Sequence, residues 1–402
     1  MSAIAISRRR INAALTLGLG AGVVGALGGC ASEPRQAPTR VLLPPDGPRD
    51  GEATGLAEAM AARIVIEMRE GQLGVIDTRR WRAGVQAHPA LAEPLKAFLG
   101  RPMPIWEVSN PDDAGAVCVL TAADGDRRHA IRLLHPHRPP RIVRLAPGEP
   151  LWDRPVSGMA LSADGSRLAL VVQADPTVRY RPLNIGRLVV LDLQAPPQPD
   201  GSAPELSLPG EALGLSFALG QRPAWLQGGR LLAYAAAGPR GRELKSPFPL
   251  PAAQPDPEIR RLDLDTGRDE PWIEGHSPLA DGRSEAPGAQ ARPAERRAIR
   301  LLLAKGPGFE LSAWDGTGTP RPVPRRHGLG LPIALIGGRH LVFMGAAHPQ
   351  AAAEFTTNNS PLVGPKAMRA IKVMDLFDGR VQTLLEGVDP RRRVGAAAIG
   401  GA

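Results

Sequence analysis

Short apolar runs alternating with polar or small positions recur along most of this 402-residue chain. The stretch GMALSADGSRLALVV, residues 158–172, shows the unit. Leu168, Leu170 and Val172 fall on one side of an extended backbone, and Ala169 and Val171 fall on the other. Asp164-Gly165 supplies the positive φ of a tight turn, so the stretch predicts strand, turn, strand. The second run recurs as RLLAYA from Arg230, RLLLAK from Arg300 and RHLVFM from Arg339. A further run ending in Asp follows each, in LVVLDLQAP, IRRLDLDTGRD, ELSAWDGTG and IKVMDLFDGRV, making Asp192, Asp263, Asp315 and Asp375 equivalent. Their uneven spacing fits four-stranded sheets with loops of variable length and disfavours a fixed helical repeat.

Upstream, PIWEVSN and AGAVCVLTAADGDRRHAIRLLHPHRPPRIVRLAPG read as the four strands of an earlier unit. ARIVIEMREGQLGVIDTRRW reads as two strands of a first one. The tail RRVGAAAIGG, residues 392–400, has the small residues expected of a strand near a crowded axis. It is expected to pair with the first unit and close a ring, which would remove free sheet edges. The predicted fold is all-β, a propeller of about six four-stranded blades closed by N- and C-terminal strands. HPALAEPLKAFLG interrupts the pattern, with Leu91, Leu95, Phe98 and Leu99 at helical spacing and Pro89 near the start. It predicts a short inserted helix.

The first residues follow another rule. Arg8, Arg9 and Arg10 precede an uncharged stretch from Ile11 to Gly29, and small residues lead to Cys30. Positive charge before an apolar run is the pattern of a secretory signal. Leu27-Gly28-Gly29-Cys30 resembles the bacterial lipobox, which implies cleavage before Cys30 and lipidation of its thiol. Ser7-Arg8-Arg9-Arg10-Ile11-Asn12 also resembles a twin-arginine export signal, leaving the general and the twin-arginine routes open. Ala31 and Ser32, with no Asp after the cysteine, imply the outer membrane by the sorting habit of that family. The expected organisation is a lipoprotein signal peptide over 1–29, a Pro/Gly-rich flexible tether over 30–55 and a propeller domain over 56–402.

Composition adds exclusions. Net charge is +9, and three of those charges lie in the predicted signal. No clustered basic stripe with stacking aromatics is visible, so nucleic acid is not an expected partner. The second cysteine, Cys118 in GAVCVLTA, reads as a buried small hydrophobe.

The repeat resembles the TolB-like propeller family and, in outline, WD-repeat propellers. Ser162-Ala163-Asp164-Gly165-Ser166-Arg167-Leu168 matches the family's Ser-Pro-Asp-Gly turn followed by a basic residue and an apolar strand, departing at Ala163. GQRPAWLQGGRLLAY and GLPIALIGGRHLVF match in outline. The resemblance spans roughly residues 156–387 and implies a scaffolding or binding role, often in the periplasm.

No catalytic set is assigned. The chain lacks a Gly-x-Ser-x-Gly elbow, a His-Glu-x-x-His helix, a Cys-x-x-Cys pair and a phosphate loop. Asp263, Asp265 and Asp269 resemble a broken calcium loop but read better as a turn between outer strands. His135 and His137 would share a strand face and could hold a metal, yet two prolines after them favour a solvated loop. No metal or cofactor is assigned. Three long connections, QADPTVRYRPLNIG, AGPRGRELKSPFPLPAAQPDPE and GAAHPQAAAEFTTNNSPLVGPKAM, fall between second and third strands and would share one face. They carry Arg179, Tyr180, Arg181, Asn184, Arg240, Arg242, Lys245, Phe248, Phe355, Asn358 and Asn359, residue types suited to partner recognition. The expected function is a membrane-anchored, periplasm-facing lipoprotein that binds a protein or cell-envelope polymer through this face. The alternatives are a propeller hydrolase or lyase with its site at the channel mouth, and a non-catalytic structural part of an envelope complex.

Overall fold

The computed structural model describes residues 49–50, 55–69, 72–79, 86–87, 105–122, 129–145, 156–173, 184–206, 211–214, 222–237, 257–275, 277–280, 301–305, 310–314, 319–323, 329–346, 368–388 and 394–399. They form six sheets and almost no helix. The chain begins with β1 (Arg49–Asp50) and a five-residue helix, α1 (Leu56–Met60). Sheet 1 then takes β2 (Ala62–Arg69), β3 (Gln72–Asp77) and β4 (Gln86–Ala87). Sheet 2 is β5 (Ile105–Val108), β6 (Val117–Ala122), β7 (His129–His135) and β8 (Arg138–Val143). Sheet 3 is β9 (Val156–Leu161), β10 (Arg167–Gln173), β11 (Asn184–Asp192), β12 (Glu205–Leu206) and β13 (Glu211–Gly214). Sheet 4 is β14 (Ala224–Leu226), β15 (Leu231–Ala237), β16 (Pro257–Asp263) and β17 (Asp269–Glu274). Sheet 5 is β18 (Ser277–Leu279), β19 (Leu301–Lys305), β20 (Glu310–Trp314) and β21 (Arg321–Pro322). Sheet 6 is β22 (Leu329–Ile336), β23 (His340–Ala346), β24 (Met368–Asp375) and β25 (Arg380–Glu386). Last comes β26 (Val394–Ala398).

Each sheet is an antiparallel meander with two additions. In sheet 3 the fourth strand comes in two pieces, β12 beside Val190–Leu191 and β13 beside Asn184–Arg187. In sheet 6, β1 runs parallel outside β25, pairing Arg49 with Arg380.

Alternation puts apolar side chains on both faces of the inner strands, so each sheet is buried against two neighbours. The core is accordingly divided into six clusters, each lying between two successive sheets. Val65 and Leu73 of sheet 1 meet Val117 and Val119 of sheet 2. Leu120 and Ile131 of sheet 2 meet Leu168 and Leu170 of sheet 3. Leu188 and Val190 of sheet 3 meet Leu232 and Tyr234 of sheet 4. Trp272 of sheet 4 meets Trp314 of sheet 5 edge to face, 5.0 Å between ring centres. Leu311 of sheet 5 meets Leu341 of sheet 6, and Val342 and Ile371 of sheet 6 meet Ile64 and Ile66 of sheet 1. Six joints in succession return to the start, which is a propeller.

Closure is made as the sequence predicts. The tail strand β26 pairs antiparallel with β2, from Ala62 opposite Ala398 to Ile66 opposite Val394. Gly395 is compelled by this arrangement, because a Cβ there would lie 2.1 Å from the Ser109 carbonyl oxygen of sheet 2.

The repeated Asp has a defined job. Asp192, Asp263 and Asp375 end the third strands of their sheets, and Asp77 ends that of sheet 1. Each turns its Oδ1 onto the N–H two residues on, at Arg79, Gln194, Asp265 and Phe377, over 2.8–3.0 Å. Such a side-chain bond mimics a backbone turn and starts the fourth strand. Asp315 lies outside the described residues, as does the predicted helix in HPALAEPLKAFLG.

The helix that is seen, α1, carries no periodic signal long enough to announce itself. It is placed by burial of Leu56, Ala57 and Met60 in the cluster between sheets 6 and 1. The Ala57 N–H also bonds to the Gln382 amide oxygen at 2.9 Å.

Candidate functional site

The innermost strands β26, β9, β14, β18 and β22, with residues 110–113 after β5, line an axial cavity of about 80 Å³. Its lining is mainly apolar and small, including Ala160, Ala224, Ala280, Ala334 and Ala396–Ala398, with Leu161, Trp225, Leu279 and Leu335. Three polar residues line it: Asn110, Asp113 and Arg222. Asn110 is committed to structure, since its amide donates to the Leu161 carbonyl (2.7 Å) and accepts the Leu161 N–H (3.0 Å), clamping sheet 2 to sheet 3. The Trp225 indole N–H likewise donates to Ala160 of sheet 3 at 2.8 Å.

Arg222 does something different. It precedes β14 in sheet 4, yet its Nη2 donates to Glu107 Oε1 of sheet 2 at 2.8 Å, passing over sheet 3. Glu107 is buried. A register shift between Ile105 and Glu107 in the β5–β6 pairing leaves Trp106 as an extra residue. A bulge re-aims the side chain it carries, and Trp106 is 49% exposed although it sits on an innermost strand.

First strands begin, and second strands end, at one rim of the ring. The three long connections leave from this rim, between Gln173 and Asn184, Ala237 and Pro257, and Ala346 and Met368. Asn184 is the first residue of β11 and pairs with Gly214. Arg179, Tyr180, Arg181, Arg240, Arg242, Lys245, Phe248, Phe355, Asn358 and Asn359 lie outside the described residues, and so does Cys30.

The weaker metal candidates resolve into turns and struts. Asp263 accepts Arg230 (3.2 Å), Asp265 pairs with the same guanidinium (3.1 Å), and Asp269 accepts both the Tyr234 hydroxyl (2.9 Å) and Arg260 Nε (3.0 Å). Asp263 and Asp265 share Arg230 while Asp269 serves Tyr234 and Arg260, so the three carboxylates do not converge. Burial, aided by Asp269, pushes the Tyr234 phenol well above its ordinary range. His135 ends the third strand of sheet 2, where sheets 1, 3, 4 and 6 carry Asp, and its Nδ1 accepts the His137 N–H at 3.3 Å. It is a turn-former in the Asp position. No group of three or more potential metal ligands occurs among the described residues. Cys118 is fully buried, and burial pushes its thiol up to about 12, so it is unreactive in the fold.

Two features escaped the sequence reading. SNPDDAG, residues 109–115, is the sheet 2 version of the Ser-x-Asp-Gly turn. Ser109 Oγ accepts the Cys118 N–H at 2.9 Å, just as Ser162 Oγ accepts that of Arg167 at 2.9 Å. The shared serine ahead of a turn was the available signal, masked by an insertion. Asp112 there is lifted above the ordinary carboxylate range by burial. In the matching turn of sheet 3, burial of Asp164 is outweighed by hydrogen bonds from Ser162 and Ser166, which hold its carboxyl low. The second omission is Glu107, a buried acid in a strand read as part of an apolar inner layer.

No protein-family model matches the chain, and no curated protein sequence matches it. Among solved structures, TolB from Acinetobacter baumannii is similar at 13% identity over 85% of this chain and 67% of that one, with a TM-score of 0.48. A puromycin-hydrolyzing peptidase from Mycobacterium tuberculosis is similar at 15% identity over 81% of this chain and 44% of its own, with a TM-score of 0.43. The β-propeller domain of the Trilobed protease from Pyrococcus furiosus is similar at 9% identity over 82% and 95%, with a TM-score of 0.37.

Proposed function

We propose that this chain is a binding module, a propeller tethered to a bacterial membrane through a lipid on Cys30, facing the periplasm from the outer membrane. Its partner is a protein or an envelope polymer, held at the rim from which the long connections leave. The observation that supports this reading is topological: the second strands ending at Gln173, Ala237 and Ala346 and the third strands beginning at Asn184, Pro257 and Met368 open toward one rim. Loops displayed together on a rigid scaffold are where binding surfaces are built. The residues in those loops are rich in Arg with aromatic company, which favours an acidic partner surface.

A hydrolase or lyase at the channel mouth would need convergent acids, bases or nucleophiles. Among the described residues the polar lining is Asn110, whose amide is spent on Leu161, Arg222, which is paired with Glu107, and a single carboxylate, Asp113. The binding reading therefore takes precedence.

The test is capture of partners by the lipidated protein, comparing wild type with a deletion of residues 240–255. Loss of a partner with retention of the thermal transition supports the reading; an unchanged partner set overturns it. For the anchor, Cys30→Ser is expected to give an uncleaved or soluble species, and unaltered membrane extraction would refute acylation.

A further inference from the structure

Apolar and basic exposure coincide at one place on the outside of the ring. β8 is the free edge strand of sheet 2. Its Ile142 is one of two large apolar side chains that stand exposed among the described residues. Arg138 and Arg141 on the same strand, and Arg144 just after it, are exposed as well. Residues 129–145 contain no acid, and among the described residues none of these three guanidiniums is ion-paired. Arg141 donates to the Leu193 carbonyl at 2.8 Å. Asp200 lies in the loop that reaches Arg144 through the Ala203 N–H, but its carboxylate accepts the Ser202 N–H instead. Arginines on other sheets are matched with acids: Arg187 with Glu205, Arg230 with Asp263, Arg261 and Arg268 with Glu270, and Arg380 with Asp378. Charge is cancelled at those places and left standing at this one.

The strip also selects its occupant. Pro139 and Pro140 take N–H donors from the edge, which disfavours recruitment of a partner strand. At about 3.3 Å per residue the three arginines occupy roughly 20 Å of a single strand. That is far short of the ~800 Å² per partner of a stable protein interface. An anionic lipid surface needs neither strand pairing nor a large patch. Its phosphates accept from guanidiniums, and its interfacial layer takes up an isoleucine side chain. A bilayer already held nearby by a lipid on Cys30 is engaged by a weak contact, because the tether makes the encounter intramolecular.

We propose that the outer edge of sheet 2 rests on anionic phospholipid through Arg138, Arg141, Arg144 and Ile142. The ring then stands on its edge, with both rims open to the periplasm. The proposal rests on the anchoring reading above for delivery of the bilayer.

The probe is a mixed vesicle of phosphatidylglycerol and phosphatidylcholine, with binding read by co-sedimentation at about 0.05 M salt. The protein is the chain from residue 30 onward, which contains every described element, with Cys30→Ser so that no acyl chain contributes. Binding is expected on the mixed vesicle and not on phosphatidylcholine alone. Each arginine is worth about fivefold in partition. The triple variant Arg138→Gln, Arg141→Gln, Arg144→Gln should therefore lose on the order of 100-fold. The double variant Arg138→Gln, Arg144→Gln keeps the Leu193 bond and should lose about 30-fold with an unchanged thermal midpoint. Ile142→Ser should lose about threefold. Arg187→Gln, Arg268→Gln, Arg380→Gln makes the same change in net charge on other sheets and should stay within about twofold of wild type. Raising salt to about 0.5 M should weaken binding at least about tenfold. Absent binding, equal losses in the two triple variants, or equal partition onto phosphatidylcholine overturns the proposal. Release of the chain by hexaglutamate matched to the lipid charge also overturns it, in favour of an acidic peptide. The loop deletion reads the other hypothesis separately. Vesicle binding with an unchanged partner set leaves this contact standing and removes the loop surface, and the reverse outcome removes this contact alone.

Discussion

Gly395→Ala tests the closure of the ring at its tightest point. The added methyl would sit 2.1 Å from the Ser109 oxygen, 2.8 Å from its carbonyl carbon and 3.2 Å from the Asn110 nitrogen. All three are backbone atoms, so no rotamer change relieves the clash. Nor is the opposing segment free to retreat. The Ser109 N–H donates to Cys118 at 2.9 Å, its hydroxyl accepts the Cys118 N–H at 2.9 Å, and Asn110 is clamped to Leu161. Relief requires β26 to move outward by on the order of 1 Å, and overpacking of this kind costs about 1–3 kcal/mol. The gain from a less flexible unfolded chain offsets about 0.4–1 kcal/mol of that. A net loss of about 1–2 kcal/mol lowers the thermal midpoint by a few degrees, at about 2–4 °C per kcal/mol for domains somewhat smaller than this one. Scanning calorimetry and protease susceptibility of residues 394–398 are the assays. Ala397→Gly serves as the control on the same strand, with an expected loss of roughly 0.5–1 kcal/mol and no strand displacement. A Gly395→Ala midpoint equal to or above wild type would refute the close approach of sheets 1 and 2.

Three other outcomes follow from the same geometry. Burial holds the His340 imidazole below its ordinary value, against the opposing pull of Asp375 4.0 Å away and with Arg339, Asp378 and Arg380 around it. The unfolded chain therefore takes the proton first, and stability falls as pH drops through about 6.5. His340→Gln should flatten the denaturant midpoint between about pH 7.5 and 5.5, and an unchanged slope would count against it. Trp225→Phe removes the indole N–H from the Ala160 carbonyl at a buried joint and should cost about 1–3 kcal/mol in urea melts. Cys118 should resist a thiol reagent in native Cys30→Ser protein and react fully in denaturant; rapid native labelling would contradict its burial.

The fold was largely legible because its signals are local. Arg167, Arg230 and Arg339 each announce a second strand, and Asp192, Asp263 and Asp375 each end a third one. Alternation and turn chemistry act within a few residues, so a linear reading captures them. The closing strand was also legible, since small residues in VGAAAI suit the crowded centre. What escaped depends on distant partners. Glu107 gives no local hint that Arg222 will reach it, and α1 is held by a cluster assembled from both ends of the ring. His135 was read as a possible ligand because its equivalence to Asp77 and Asp192 appears only once the strands are aligned by register.

Sheet 1 takes its innermost strand from residues 394–398 and its next from residues 62–69. Synthesis therefore delivers residues 62–69 hundreds of residues before residues 394–398. Until then β2 presents Ile64, Val65 and Ile66 along an unpaired edge. An unpaired apolar edge is prone to aggregate, and strands so far apart in sequence are slow to find each other. Maturation of the protein is thus timed by the arrival of a five-residue segment, and any lesion that halts translation before it leaves an adhesive intermediate in place of a finished ring.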